Sequence, residues 1–226
     1  MTDRPTFGLV PQAVGLVVAL VLTTVVWYPP FLAPLLPDDF VWRNLAQQGI
    51  DWAFCLILIA IVLLWEREPL TSLGFKRLTR ENLLAGLGLG GFFLLGQFLW
   101  NFVAGRFAGA DPSLGAGPLP DGFVLWYGPV ALVTASFCEE IIYRGYAMER
   151  LLRIFKSPWP GIVLPHVAFA LMHIKDGWGK VAMVGIVGLL FTLYYYRYRD
   201  LTMTIVAHFF IDSLALVGHF AGIRSS

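Results

Sequence analysis

Residues 135–152 read ASFCEEIIYRGYAMERLL, and they place two glutamates and an arginine inside a long apolar stretch. The preceding residues 123–134 are almost entirely apolar, so we expect Glu139, Glu140 and Arg144 to lie within a helix. An ionisable side chain inside a membrane-spanning helix costs about 2.5–3.5 kcal/mol on insertion scales. Residues that carry such a cost are functional candidates by default. This segment is therefore the predicted active centre.

The composition indicates that lipid is the solvent of this chain. Hydrophobic residues make up 58 % of the 226 residues and charged residues 14 %, whereas soluble domains contain roughly 45–50 % and about 25 %. The formal net charge is +1, so no overall positive charge attracts nucleic acid.

Cys55 and Cys138 lie in apolar stretches without CxxC spacing, and we expect two free, buried thiols.

Seven stretches reach, or nearly reach, the 20 or so apolar residues that a membrane span needs. They predict an all-α, polytopic transmembrane bundle of about seven spans that forms a single membrane domain over residues 1–226. The fourth stretch is long, and it could break or leave the membrane near Gly145. The seven stretches are 10–33, 50–65, 82–104, 123–153, 158–174, 179–197 and 201–222.

The basic residues predict the orientation of the chain. With seven spans and a cytoplasmic N-terminus, ten Lys and Arg residues lie on the cytoplasmic side and five on the other side. We therefore expect an integral multi-pass protein of a bacterial-type inner or plasma membrane, with its N-terminus in the cytoplasm. The apolar run from Val10 to Trp27 is longer than the core of a usual signal peptide, which favours a retained first helix.

The glutamates of the quoted segment differ in their helical neighbours. Glu140 and Arg144 are four residues apart, so they share a helix face and can form an ion pair. Glu139 lies about 100° round the helix and has no local cation. A carboxylate in a poorly solvated cavity suits a general acid or base near neutral pH. The alternative is an ion network that only locks helices together.

Two further clusters fall on later helices. Phe169 and His173 share a face, and His208 and Asp212 are spaced so that both can point into one cavity. Asp212 could orient the His208 ring and fix its tautomer, or act as a polar ligand itself. Each cluster alone is equally well explained by core packing or an interhelical hydrogen bond.

The combination is more informative than any one cluster. A carboxylate pair and two histidines from three helices form the inventory of a site that activates water. No HExxH zinc helix, GxSxG nucleophile elbow or GxxxxGK[ST] phosphate loop occurs in the chain. Hydrolysis by activated water is therefore the chemistry that the residues favour.

The order EExxxR, FxxxH and HxxxD, at Glu139–Arg144, Phe169–His173 and His208–Asp212, resembles the CPBP family. This family of intramembrane proteases is also called the ABI or type II CAAX prenyl protease-like family. The resemblance covers residues 123–222 as a catalytic core, while residues 1–120 match nothing specific. It implies an intramembrane endopeptidase that hydrolyses a peptide bond, near the C-terminal region, in a membrane-anchored or lipidated protein.

The resemblance also implies a role for each motif residue. Glu139 would activate the attacking water with help from His173, and His208 and Asp212 would bind or stabilise the oxyanion. The expected supporting residues are Glu140, Arg144 and Phe169.

We favour a mechanism without a metal cofactor. An ionised Asp212 cannot donate to an oxyanion, so it is better suited to orient His208. Zinc bound by Glu139, His173 and His208 is the alternative, since carboxylate and imidazole are zinc ligands.

Two other classes of protein remain as alternatives. A non-catalytic immunity or scaffold membrane protein is disfavoured by the intact motifs. A proton-coupled transporter, with Glu139 and the histidines as a relay, is disfavoured because no inverted repeat is visible. Helical rise places His208 roughly 10 Å, and His173 roughly 20 Å, from the cytoplasmic ends of their helices. A shared site requires that these two depths meet.

Overall fold

The computed structural model describes residues 8–27, 35–107, 126–174 and 177–220. These residues form helices and turns, with no strand among them, so the expected all-α fold is confirmed. The α-helices are α1 (Leu9–Val17), α2 (Thr23–Trp27), α3 (Phe40–Ala60), α4 (Arg80–Phe107), α5 (Tyr127–Thr134), α6 (Glu149–Ile154), α7 (Trp159–Leu171), α8 (Trp178–Tyr198) and α9 (Leu201–Phe220). Wider π-helical segments continue some of them, namely π1 (Val18–Leu22), π2 (Ile61–Trp65) and π3 (Ala135–Met148).

Three helical stretches are long and apolar enough, by length and composition, to cross a membrane. They are Leu9–Val26, Val41–Trp65 and Trp178–Tyr198, and Trp159–Leu171 and Leu201–Val217 are shorter apolar helices. Large hydrophobic side chains are exposed along the described helices, as a lipid-facing surface requires. The chain is therefore a helical membrane bundle. The total of about seven spans and the cytoplasmic N-terminus remain predictions.

Helix α3 begins at Phe40, ten residues before the predicted stretch 50–65. The side chain of Asp39 caps the helix by accepting a hydrogen bond from Trp42 N at 3.0 Å. Polar residues in the first turns lower the apolar signal without interrupting the helix. Gln48, for example, donates from Nε2 to the Tyr127 hydroxyl at 3.1 Å, so it faces protein rather than lipid.

Helix α5, segment π3 and helix α6 form one continuous central helix, and the chain does not break near Gly145. Every residue from Glu140 to Met148 is buried, and π3 packs against α1, α3, α7 and α9. A Cβ added to Gly145 would lie 3.0 Å from the Leu201 side chain and 3.2 Å from Leu73 O. Because Gly145 has no side chain, Leu201 and Leu73 can pack against the helix at this point, and the helix continues through it.

The first residues of α9 explain how His208 reaches the depth of the other site residues. Leu201 N donates to Gly74 O at 2.9 Å, and the Leu201 side chain packs against Gly145. The turn between α8 and α9 therefore lies beside the middle of the central helix and not beside its end at Ile154. Because the helix ends are staggered, distances counted from them do not compare depths.

Helix α9 is held against α4 by a close approach of the two backbones. A Cβ at Gly86 would lie 2.8 Å from Met203 O, and a Cβ at Gly90 would lie 2.8 Å from the Phe210 ring. Small residues at such crossings let helices pack closely in membranes. This contact fixes the helix that carries His208.

A second group of charges, buried at Glu66 and Arg150, ties residues 66–74 to the central helix, and sequence reasoning missed it. Arg150 donates to Glu66 Oε2 from Nε at 2.8 Å and from Nη2 at 2.5 Å, and Tyr146 donates to Glu66 Oε1 at 2.7 Å. Arg153 donates to Glu68 at 2.5 Å. Burial raises the pKa of the Glu68 carboxyl, but the hydrogen bond from Arg153 and the two arginine charges leave this pKa below its usual value. The loop is thus anchored by compensated charges.

Removing one partner of the Glu66–Arg150 pair leaves the other charge buried and unpaired. We expect Glu66→Ala to lower the free energy of unfolding by about 3–5 kcal/mol. The double variant Glu66→Met, Arg150→Met removes both charges, and its free energy of unfolding should fall much less. Unfolding in detergent measures both variants.

The control for this experiment is Arg43→Ala, which removes an exposed ion pair with Asp38. Arg43→Ala should change the free energy of unfolding by no more than about 1 kcal/mol. A Glu66→Ala variant that is as stable as this control would contradict the structural importance of the buried pair.

Candidate active site

The site lies where the central helix meets α7, α8 and α9, and its innermost contact is an ion pair. Arg144 Nη1 donates to Glu140 Oε1 at 2.9 Å, and both side chains are buried. This pairing across one helical turn confirms the expectation from their spacing. Two buried charges that compensate each other can serve as a fixed point for the groups around them.

The guanidinium of Arg144 is also held by α7 and α8. Its Nη2 donates to Gly188 O at 3.2 Å, and its central carbon lies 4.2 Å from the centroid of the Phe169 ring. This separation is within the range of a cation–π interaction. The Phe169 ring in turn meets the rings of Tyr143 and His173 edge-on at 5.5 Å between centroids. Phe169 therefore supports the arginine directly.

His208 lies between the two glutamates of the central helix. Its Nδ1 is 3.0 Å from Glu140 Oε1, and its Nε2 is 3.8 Å from Glu139 Oε2 and 3.4 Å from Asp212 Oδ2. The Phe191 ring meets the imidazole edge-on at 6.0 Å. Helix α9 thus brings His208 and Asp212 to the glutamates, as expected if these motif residues belong to one site.

The two adjacent glutamates lie in different surroundings. The Glu140 side chain is 0 % exposed and is bound to Arg144 and His208, whereas the Glu139 side chain is 17 % exposed. Asp212, at 34 %, is the more open of the two carboxylates near His208 Nε2. A molecule that enters the site can therefore reach Glu139 and Asp212 but not Glu140.

His173 packs against Phe169, the residue whose ring contacts Arg144. It follows the end of α7, and its Nδ1 lies 3.1 Å from Phe169 O. The imidazole is half-buried. Its approach to Glu139 during a reaction remains a prediction.

The arrangement does not form a ready zinc site. Among the described residues, no group of three His, Cys, Asp or Glu side chains could hold a metal ion. His208 instead directs Nδ1 to Glu140 and its Nε2 lies near Asp212. The described geometry does not fit zinc held by Glu139, His173 and His208, so no step is derived through a metal. The metal-free mechanism itself stays a prediction.

Sequence reasoning missed two contributions to this site. Asp51, on α3, interacts electrostatically with Glu139, and Gly188 supplies the carbonyl for Arg144. The signal for Asp51 was the helical spacing of Asn44, Gln48 and Asp51 just before an apolar run. No local signal marks Gly188, because its role depends on how α8 packs.

One family model matches the part of the chain that carries the site. The model described as Type II CAAX prenyl endopeptidase Rce1-like matches residues 121–214. All the motif residues, from Glu139 to Asp212, lie within this range, and the resemblance inferred from them is confirmed. No curated protein and no solved structure matches the chain.

The close packing at Gly188 generates a prediction. A Cβ at this position would lie 2.7 Å from the Phe169 ring and 3.3 Å from Arg144 Nη2. Gly188→Ala should therefore displace Phe169 and Arg144, and overpacking should cost about 1–3 kcal/mol of the free energy of unfolding. Unfolding in detergent checks this cost.

Gly185→Ala is the matched control on the same helix, because a Cβ at Gly185 meets only the Ala170 Cβ, at 3.9 Å. We expect this variant to be at least as stable as the parent, since alanine is the better helix former. Equal stability of the two variants would show that Gly188 does not fix the arginine.

Proposed function

We propose that this chain, whose residues 121–214 belong to the Rce1-like family of type II CAAX prenyl endopeptidases, is an intramembrane protease. Its substrate is a membrane-anchored or lipidated protein, cleaved near its C-terminal region. The observation that carries the proposal is the division between the two glutamates, of which Glu139 is accessible beside His208 and Glu140 is buried in an ion pair.

Glu139 is proposed as the general base. Its carboxylate takes a proton from a water molecule while the water oxygen attacks the carbonyl carbon of the scissile peptide bond. His173, which follows the end of α7, assists in holding this water. The product of this step is a tetrahedral intermediate with a negative charge on the former carbonyl oxygen.

His208 is proposed to stabilise this oxyanion. Its Nε2 is the ring nitrogen on the side of the accessible carboxylates, 3.8 Å from Glu139 and 3.4 Å from Asp212. A proton on Nε2 can be donated in a hydrogen bond to the oxyanion. Asp212, which as a carboxylate can only accept, is proposed to orient the ring through Nε2 before the oxyanion forms and takes over this proton.

The intermediate then collapses, and the carbon–nitrogen bond breaks. The proton held by Glu139 passes to the leaving nitrogen, so that an amine and a carboxylic acid are released and Glu139 returns to its ionised form. One water molecule is consumed for each bond cleaved. The chain's own residues therefore balance the reaction in protons and charge.

The buried pair supports these steps without touching the substrate. Arg144 holds Glu140, and Glu140 in turn holds His208 through Nδ1 at 3.0 Å. Arg144 is already engaged by Glu140, Gly188 and Phe169. It is therefore a positioning residue in the proposed mechanism.

The decisive test is Glu139→Gln in a cleavage assay with a lipidated peptide that carries a C-terminal CAAX-type sequence. Loss of the base should lower the rate by about 10²–10⁴-fold. Glu81→Gln makes the same chemical change at an exposed position of α4 and should leave the rate unchanged. Full activity of Glu139→Gln would remove the assignment of the base.

Glu140→Gln, His173→Ala and His208→Ala, each checked for folding, separate the remaining roles. We expect His208→Ala to lower kcat strongly, since it removes the proposed oxyanion donor. Glu140→Gln should affect both the unfolding temperature and kcat, because it leaves Arg144 without its carboxylate.

The metal-free mechanism has a separate test with two readouts. We expect the purified protein to contain no stoichiometric zinc by elemental analysis, and to retain cleavage after treatment with a strong chelator. Stoichiometric zinc, together with activity that is lost on its removal and regained on its return, would reverse this part of the proposal.

A further inference from the structure

Helix α3 and the central helix are joined by a regular series of polar side-chain contacts. Gln48 Nε2 donates to the Tyr127 hydroxyl at 3.1 Å, and one turn further along α3 Trp52 Nε1 donates to Thr134 Oγ1 at 3.0 Å. The partners advance in the same direction along both helices, so the two helices run side by side in parallel. We call this line of contacts the α3 seam.

The α3 seam leads from one end of the bundle to the site. At its start the Tyr127 hydroxyl donates to Asn44 Oδ1 at 3.3 Å. Further in, Asp51 interacts electrostatically with Tyr127, Cys138 and Glu139. Hydrogen bonds therefore follow the seam from the first turns of α3 to Thr134, five residues before the residue proposed as the base.

The inner end of the seam is marked by the two cysteines. Cys55 on α3 contacts Cys138 on the central helix, and both are free and buried, as predicted. Cys138 directly precedes Glu139 in sequence. The seam thus ends beside the proposed base.

The polar composition of the seam is costly for a membrane helix. The opposite face of the same helix is apolar and exposed, for example at Ile57. Within the seam, Gln48 Oε1 is buried and has no hydrogen-bond partner among the described protein groups. A buried acceptor without a partner costs about 1–3 kcal/mol, and water is the usual partner of such a group. Gln48 Oε1 therefore offers a binding position for water within the seam.

The proposed reaction needs such positions, because each cleavage consumes a water molecule at a carboxylate inside the bundle. We propose that the α3 seam, formed by Asn44, Gln48 and Asp51 with Tyr127 and Thr134, admits water to Glu139. This inference rests on the proposed function. A seam that only joins two helices through hydrogen bonds is the competing explanation.

Radiolytic footprinting of the unmodified protein in lipid nanodiscs tests the hydration of the seam, with water itself as the probe. Radicals formed from water molecules modify the aromatic side chains next to them. We expect Trp52 and Tyr127 to be modified about tenfold faster than Phe92, after correction for intrinsic reactivity. Phe92 is the control because it is exposed on α4, where lipid would cover it. Equal rates at Trp52 and Phe92 would overturn the inference.

Kinetics test whether this water reaches the reaction. Gln48→Leu should lower kcat about tenfold with little change in KM, a loss equivalent to about 1.4 kcal/mol. Gln47→Leu is the matched control, since it makes the same change one residue away from the seam. Thr134→Val provides a second seam variant if Gln48→Leu does not fold. Unchanged kcat in a folded seam variant would also overturn the inference.

The two proposals fail in different ways. If Glu139→Gln cleaves as fast as the parent, the proposed function falls, while footprinting still decides whether the seam is hydrated. If Glu139 is required but Trp52 is modified no faster than Phe92, the protease proposal stands and the water path is wrong.

Discussion

The ion pair between Glu140 and Arg144 is the contact on which the arrangement of the site depends. A charge in the interior of a membrane bundle is tolerated only when it is compensated, and Arg144 has more donors than one carboxylate can accept. The guanidinium of Arg144 also donates a hydrogen bond to the carbonyl of Gly188 on α8, and it lies over the ring of Phe169 on α7. Through Glu140 and His208 the same network reaches α9. One arginine thus sets the relative positions of four helices.

The same electrostatic constraint gives adjacent residues different chemistry. Glu140 is fixed by its partners and inaccessible, while the Glu139 side chain is partly exposed. Arg150, further along the same helix, has its own carboxylate in Glu66 and therefore does not compete for Glu140. The central helix carries two separate charge clusters, of which one organises the site and the other anchors residues 66–74.

Much of this could be predicted from sequence, because it depends on spacing along one helix. The pairing of Glu140 with Arg144 and the proximity of His208 to Asp212 are contacts across a single turn. The start of α3 could not be predicted from hydropathy, because Gln48 and its neighbours look unfit for lipid until their protein partners are known. The continuity of the helix through Gly145 could not be predicted either, because the residue that packs against this glycine, Leu201, is distant in the chain.

The sequence by itself determined that the chain is a helical membrane protein, which of its residues are candidates for a catalytic site and which family its motifs resemble. Only the tertiary structure decided that the α8–α9 turn lies beside Gly145. It also decided that Gly188 supplies a carbonyl to Arg144 and that α3 lies along the central helix. The physical reason is that composition and helical periodicity are local properties. The choice of which helix faces meet, and at what depth, depends on close packing between residues far apart in the chain.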